Sequence, residues 1–313
     1  MASRSRKRGV LSHVRSRPTG AATSRARWAR WEVSAASAAA QCRRLFVAER
    51  DGRVAGAVRA SLLHDSSVGG RAEATPHVHP DHRGHGVGHA LAAAAEKHLA
   101  AVGATHVYAW TNDEPGTHPF AERHGYRRSR AGRVLRLDLT AAAPPLLPLP
   151  TGVRLHTGRD LDADPQSLYV VETEAGADEP SDGPADATTY EDWLRRTWER
   201  PFTDLDLTSV VSLDGEVVSF TLAATDGRGR HVSAMPGTRR AFRGRGLARL
   251  AKTASLHRAR DADCTDAFTG NDAANAPMLA ISQAFGYRPF SNEWRYVHEL
   301  GRGSHGEACC RRP

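Results

Sequence analysis

Cysteine is scarce. The four in 313 residues, Cys42, Cys264, Cys309 and Cys310, fit neither a disulfide framework nor paired C-x-x-C metal knuckles, so a reducing compartment is the simple reading. Long apolar runs are missing too. No stretch approaches the roughly 20 uncharged apolar residues of a membrane-spanning helix, and no apolar core follows the basic N-terminus as it would in a signal peptide. The expectation is a cytoplasmic protein with no membrane partner. Acidic residues are absent from the first 31 positions, which hold nine Arg or Lys, while the remaining 34 basic residues face 35 acidic ones. The net charge of +8 therefore belongs to a tail, and nucleic acid is not the expected partner. That tail reads as an arm for an anionic surface, a disordered extension, or sequence upstream of the native start.

What is present is an ordinary globular composition, 40% hydrophobic and 25% charged, with length for two domains at about 100 to 200 residues each. A Pro-rich run from Ala141 to Pro150 reads as a stiff linker. On either side the same order of signals recurs: a hairpin around Asp-Gly, a Gly-rich turn opening a helix, a strand ending near Asn, and a short helix closed by Gly and an aromatic. Arg83 lies 29 residues before Asn112 and 42 before Gly125; Arg243 lies 28 before Asn271 and 43 before Gly286. Such offsets point to a tandem duplication of one α/β unit.

Asp51-Gly52 and Asp214-Gly215 predict antiparallel hairpins, Leu45 to Glu49 with Val54 to Ala60 and Thr208 to Leu213 with Val217 to Ala223. Apolar residues at helical spacing follow each Gly-rich turn: Val87, Leu91, Ala95 and Leu99, then Leu247, Leu250, Ala251 and Ala254. The domain reading is a basic tail over 1–31, an incomplete N-terminal domain over 32–140, a linker over 141–151, a C-terminal domain over 152–300 and a tail over 301–313. The first half looks truncated, because only 32–51 precede its hairpin turn.

Arg83-Gly84-His85-Gly86-Val87-Gly88 and Arg243-Gly244-Arg245-Gly246-Leu247-Ala248 share the form R-x-x-G-x-G/A, each directly opening a helix. Side-chain-free residues let successive backbone N–H groups approach a phosphate, and the helix N-terminus adds partial positive charge. A pyrophosphate is the expected ligand. These turns, with Val78 to Arg83, Phe120 to Tyr126 and, in the second half, Asn271, Asn275, Pro277-Met278-Leu279 and Gly286-Tyr287, resemble the GNAT superfamily of N-acetyltransferases. The second half is similar to that of tandem members of the mycothiol synthase type. The resemblance covers about 40–135 and 152–298.

It implies an α/β (α+β) fold of two tandem GNAT-like units, each a mixed, mostly antiparallel sheet flanked by helices and splayed to admit the pantetheine arm of acetyl-CoA. It also implies direct transfer of the acetyl group to an amine of a small-molecule acceptor. Arg243, Gly244, Arg245, Gly246, Leu247 and Ala248, with Asn271 and Asn275, would bind the cofactor in the second half. Arg83, Gly84, His85, Gly86, Val87, Gly88 and Asn112 are their counterparts in the first. Many members carry a Tyr acid four residues before the closing Gly; Ala121 and Ser282 stand there. Ser282 and His231 are the catalytic candidates of the second half, with Glu73 and His77 on the equivalent strand of the first. The missing Tyr leaves open an alternative, a non-catalytic acyl-CoA-binding sensor or scaffold.

The run His77, His79, His82, His85, His89 lacks a Cys or carboxylate at metal-site spacing, so no metal is expected. Tyr190, Trp193, Leu194 and Trp198 read as a core-facing helical stripe, with an acceptor-pocket wall as the second reading. Asp178, Glu179, Asp182 and Asp186 read as a solvated loop or an acidic rim for a cationic amine.

Overall fold

A computed structural model describes residues 11–17, 42–63, 69–141, 144–178 and 188–301, the first of these as backbone only. Cys309, Cys310, Glu179, Asp182, Asp186 and residues 32–41 lie outside the described residues. The described part divides into two units, one of residues up to Ser129 together with those from Trp294 onward, the other Arg130–Glu293. The division therefore falls at Ser129/Arg130 and again at Glu293/Trp294, away from the Pro-rich run.

Unit 1 contains β1 (Leu11–Arg17), β2 (Arg44–Arg50), β3 (Arg53–Leu62), β4 (Arg71–Ala74), β5 (His77–Val78), α1 (Val87–Ala101), β6 (His106–Asn112) and α2 (Thr117–Arg123). Neighbours are antiparallel from β1 to β4, and β4 and β6 are parallel. Asp51 (φ +52°) and Gly52 (φ +74°) take left-handed conformations, as a two-residue hairpin turn of this hand requires. One face of α1 buries Val87, Leu91, Ala95 and Leu99, the residues its spacing singled out, against Ala48, Val58 and Val107. β1 is a correction: these residues fall inside the segment expected to be a disordered basic tail, and they pair with β2 from Leu11 to Arg17. A polar edge strand gains its bonds from the neighbour's backbone and so leaves little trace in hydropathy.

Two long strands cross the unit boundaries: β7 (Arg127–Asp138) starts in unit 1 and ends in unit 2, and β13 (Arg288–Glu299) starts in unit 2 and ends in unit 1. In unit 1 the end of β13 brings Arg295 over the Tyr108 ring at 4.5 Å, and Leu300 N–H donates to Thr105 O at 2.8 Å.

The rest of unit 2 comprises β8 (Val153–Thr157), α3 (Gln166–Gly176), α4 (Tyr190–Trp193, continued by a π turn to Trp198), β9 (Ser209–Leu213) and β10 (Glu216–Thr225). β11 (Arg230–Thr238), α5 (Leu247–Asp261), β12 (Asp266–Asp272) and α6 (Ala276–Ala284) complete it. Its sheet runs β7-β12-β11-β10-β9-β8, parallel only between β11 and β12. Each unit thus has the expected mixed, mostly antiparallel sheet with helices. Trp193 and Trp198 are buried with Leu168, Val171 and Phe220, so the aromatic stripe faces a core. Each indole N–H reaches a carboxylate, Glu172 at 2.7 Å and Asp162 at 3.1 Å, which satisfies the polar edge of a buried ring.

Candidate active site

Both Gly-rich turns follow one local plan. A short 3-10 turn, Pro80–His82 or Arg240–Phe242, ends at an arginine in extended conformation. Its Nε donates to the carbonyl five residues back, Arg83 to Val78 O at 3.4 Å and Arg243 to Thr238 O at 3.1 Å. The guanidinium thereby fastens the turn to the preceding strand. Gly84 and Gly86 (φ +73° and +81°), and Gly244 and Gly246 (+76° and +77°), follow in left-handed conformation, and a Cβ on any of them would meet nothing within 4 Å. Backbone conformation, not crowding, demands glycine here. In front of each helix lies open space faced by N–H groups that have no intrahelical acceptor, a setting that suits a pyrophosphate. Val87 and Leu247 bury their side chains and Gly88 packs against Phe120, so these three face the opening with backbone alone. His85 turns its Nδ1 to Arg83 O at 2.7 Å, and Arg245 lies over the Phe242 ring.

Carboxylates from the last turns of α3 and from just beyond its end meet the cationic turn of unit 2. Glu174 accepts from Arg239 Nε at 3.1 Å and from the Arg240 N–H at 2.7 Å. Asp178 pairs with Arg240 at 2.6 Å and Arg243 at 2.7 Å, and these partners hold its carboxyl well below the usual carboxylate range. Asp178 therefore braces the turn instead of serving as a free acidic rim. Arg245 has no ion pair among the described residues. In unit 1, Arg83, the counterpart of Arg243, pairs with Glu114 at 3.0 Å.

The strand feeding each turn parts from its parallel neighbour. β11 pairs with β12 only from Arg230–Asp266 to Ser233–Thr269, and β4 with β6 only from Arg71–His106 to Glu73–Tyr108. Past those points the strands leave a wedge between them. In unit 2 the split coincides with a bulge, since Ala223 faces Ser233 while Leu222 faces Met235, leaving Ala234 as the extra residue. Unit 1 keeps an unbroken register there, from Ala60–Ala74 to Gly56–Val78.

Beneath the unit 2 wedge lies a buried polar cluster. His231 Nε2 is 3.1 Å from Ser255 Oγ, its Nδ1 has no partner, and burial, helped by Lys252, pulls its pKa to about 4. It is a neutral ring at pH 7, far from the tuning a general base needs. Ser282, 0% exposed, accepts a hydrogen bond from Lys252 Nζ at 3.3 Å. The Lys252 ammonium is 1% exposed, 4.7 Å from the Tyr287 ring centroid, and burial pulls its pKa to about 8. Tyr287 brings its hydroxyl beside Ser233, although neither oxygen finds a partner of good geometry, and burial pushes the phenol pKa up.

Asn275 caps α6, accepting from Met278 N–H at 3.3 Å; Asn271 stands on β12 opposite Arg133 with a buried, unpartnered Nδ2. Asn112 ends β6, its carbonyl accepting from Glu114 N–H. The turn, the wedge, Ser282 and Asn271 of the second half thus belong to one unit. Glu73, paired with Arg59 at 3.3 Å, and His77 stay on strands of unit 1. Among the described residues no three His, Cys, Asp or Glu form a metal-sized group, and no helix is long and apolar enough to cross a membrane.

Sequence reasoning missed Lys252 as a member of this region, and it had Tyr287 only as part of a motif and Asp178 only as a loop or rim residue. A signal for Lys252 existed: it lies one helical turn before Leu256, inside a segment whose other polar positions are Thr253 and Ser255.

Residues 12–126 match the model of the acetyltransferase (GNAT) family. Mycothiol acetyltransferase of Beutenbergia cavernae is 32% identical over 227 residues, 69% of this chain and 73% of that one. Its counterpart from Clavibacter michiganensis subsp. michiganensis is 30% identical over 256 residues, covering 80% and 79%. In fold, a tandem GNAT protein from the clavulanic acid biosynthesis pathway superposes with a TM-score of 0.68 over 85% of each chain, at 24% identity.

Proposed function

Because this chain belongs to the GNAT family of acetyltransferases, we propose that its second unit carries the active site and that acetyl-CoA binds along β11. The protein is an N-acetyltransferase, and members of its family use acetyl-CoA as co-substrate. Arg243 to Ala248 hold the pyrophosphate on backbone N–H groups. The free edge of β11, from Thr238 back to Ala234, pairs with the amides of the pantetheine arm as an added strand would. At about 3.3 Å per residue this edge spans roughly 13 Å and delivers the thioester to the point where β11 and β12 part. Asn275 holds the start of α6, and Asn271 offers its unpartnered amide to the ligand.

The acceptor is a small-molecule amine, entering between the sheet and the α3–α4 face. Since the named relatives are mycothiol acetyltransferases, the free-amine form of mycothiol is the first acceptor to try. The observation that carries this reading is the coincidence on one strand of an anion-binding turn and an unpaired edge that begins at a bulge. Thiol release from acetyl-CoA, measured with and without a panel of amines, tests it. Amine-dependent release is expected, whereas tight acetyl-CoA binding with no release on any amine would favour a sensor.

A further inference from the structure

The chain has only three lysines among its 43 basic residues, and one of them, Lys252, is buried in unit 2. A buried ammonium is costly unless a carboxylate or several acceptors compensate it. Lys252 has no ion pair among the described residues; its partners are one hydroxyl, Ser282 Oγ, and the rings of Tyr287 and Phe285. Other buried polar groups lie near it: the Tyr287 hydroxyl beside Ser233 Oγ, and His231, whose Nδ1 has no partner. Ser233 is also the last residue of β11 paired with β12 before the bulge. The ammonium is therefore one side chain removed from the point where the strands part. A core packed for stability alone would not gather an ammonium, a phenol, an imidazole and two serine hydroxyls at that point.

We propose that Lys252 is the proton donor of the second unit, giving its Nζ proton to the sulfur of CoA as the thioester breaks. The inference rests on the reading that acetyl-CoA lies in the unit 2 wedge. The acceptor nitrogen attacks the thioester carbonyl carbon, and the carbon–sulfur bond breaks with its electron pair on sulfur. The sulfur takes a proton from Nζ, leaving CoA thiol and a neutral Lys252 amine. The proton lost by the acetylated nitrogen passes to solvent, and one proton returns from solvent to Nζ. Burial brings this lysine close to the ordinary range of a thiol, near 8.5, so the transfer is nearly balanced in energy. Tyr287, whose phenol burial pushes the other way, is the poorer acid.

The test uses the full chain, its Lys252→Met and Tyr287→Phe variants, and CoA itself as probe. Calorimetry should find CoA affinity within threefold in all three proteins. The pKa of the bound CoA thiol, followed by thiolate absorbance, should be at least one unit lower in the wild type than in Lys252→Met. Turnover should drop at least a hundredfold in Lys252→Met, and the alkaline limb of the wild-type pH–rate profile should vanish with it. A bound thiol titrating like free CoA in the wild type overturns the proposal even if the variant fails to fold. So does a Tyr287→Phe protein that loses turnover while Lys252→Met keeps it. Failure of the wild type to bind CoA at all rejects the wedge site, a different result, and takes the role of Lys252 with it.

Discussion

Set against each other by their turns and strand registers, the two units differ most where they should be most alike. Where unit 2 places His231, Ser233, Lys252, Ser255 and Ser282, unit 1 has Ala72, Ala74, Ala92, Ala95 and Ala121. All five alanines are buried. An alanine interior offers neither a proton nor a hydrogen bond, and it packs without desolvation cost. Unit 1 also lacks the bulge that opens β11. It has kept the turn, the hairpin and the helix, all of which serve stability, while unit 2 holds polar groups that stability alone does not call for.

The sharpest way to break this comparison is to place the same carboxylate in each turn. Gly246→Glu should weaken acetyl-CoA at least a hundredfold by calorimetry and abolish turnover. It removes two or three charge-assisted bonds at roughly 1.5 to 3 kcal/mol each and adds repulsion. Gly86→Glu imposes the same backbone strain and should leave turnover within a few fold. The reverse result would move the active site to unit 1.

Ala92→Lys asks whether this fold buries an ammonium easily. With alanines around it and no hydroxyl counterpart of Ser282, the variant should lose roughly 3 kcal/mol or more in urea unfolding. A tolerated lysine would deprive Lys252 of its significance.

Alkaline pH gives a third contrast. The folded pKa of Lys252, about 8, lies below its unfolded value, so the unfolded chain binds more protons between pH 8 and about 10.5. Its contribution to unfolding free energy should therefore rise with pH across that window, by at most about 1.4 kcal/mol per unit. Lys252→Met should flatten the rise and be as stable as the wild type, or more so, at pH 7. Parallel curves for the two proteins would show that the ammonium is better solvated than its burial indicates.

The smallest effect belongs to the basic segment. Removing residues 1–17 strips β1 from β2 and should cost on the order of 2 kcal/mol in stability, judged from cross-strand pair energies, with acetyl-CoA affinity unchanged. An identical melting curve would return the segment to the status of an extension.

Local chemistry made much of this legible from sequence. Asp51-Gly52 and Asp214-Gly215 announce hairpins because few residue pairs accept two positive φ values, and Gly84, Gly86, Gly244 and Gly246 mark their turns for the same reason. The spacing of Leu91, Ala95 and Leu99 gives the buried face of α1. Other features leave no local mark. Ala234 bulges without any residue preference to betray it, and β1 owes its existence to an edge elsewhere in the chain. A lysine in a helix that also carries Arg249, Arg258 and Arg260 reads as surface until the helix is packed. β7 did carry a signal in Leu135 and Leu137 alternating with Arg136 and Asp138, but the arginines disguised it.

The sharing of β7 and β13 between units has a consequence for how the protein is made. Unit 1 needs residues from Trp294 onward, so its first 129 residues leave the ribosome well before the segment that completes them. At roughly 5 to 20 residues per second, translating the intervening 130–293 takes roughly ten to thirty seconds. During that interval the edge of unit 1 that receives Arg295 and Leu300 stays open, and by its end unit 2 has every residue it needs. The later half of the chain is thus free to finish folding first. A gene cut within the Pro-rich run would yield two fragments, each carrying a strand that belongs to the other's unit and missing one of its own.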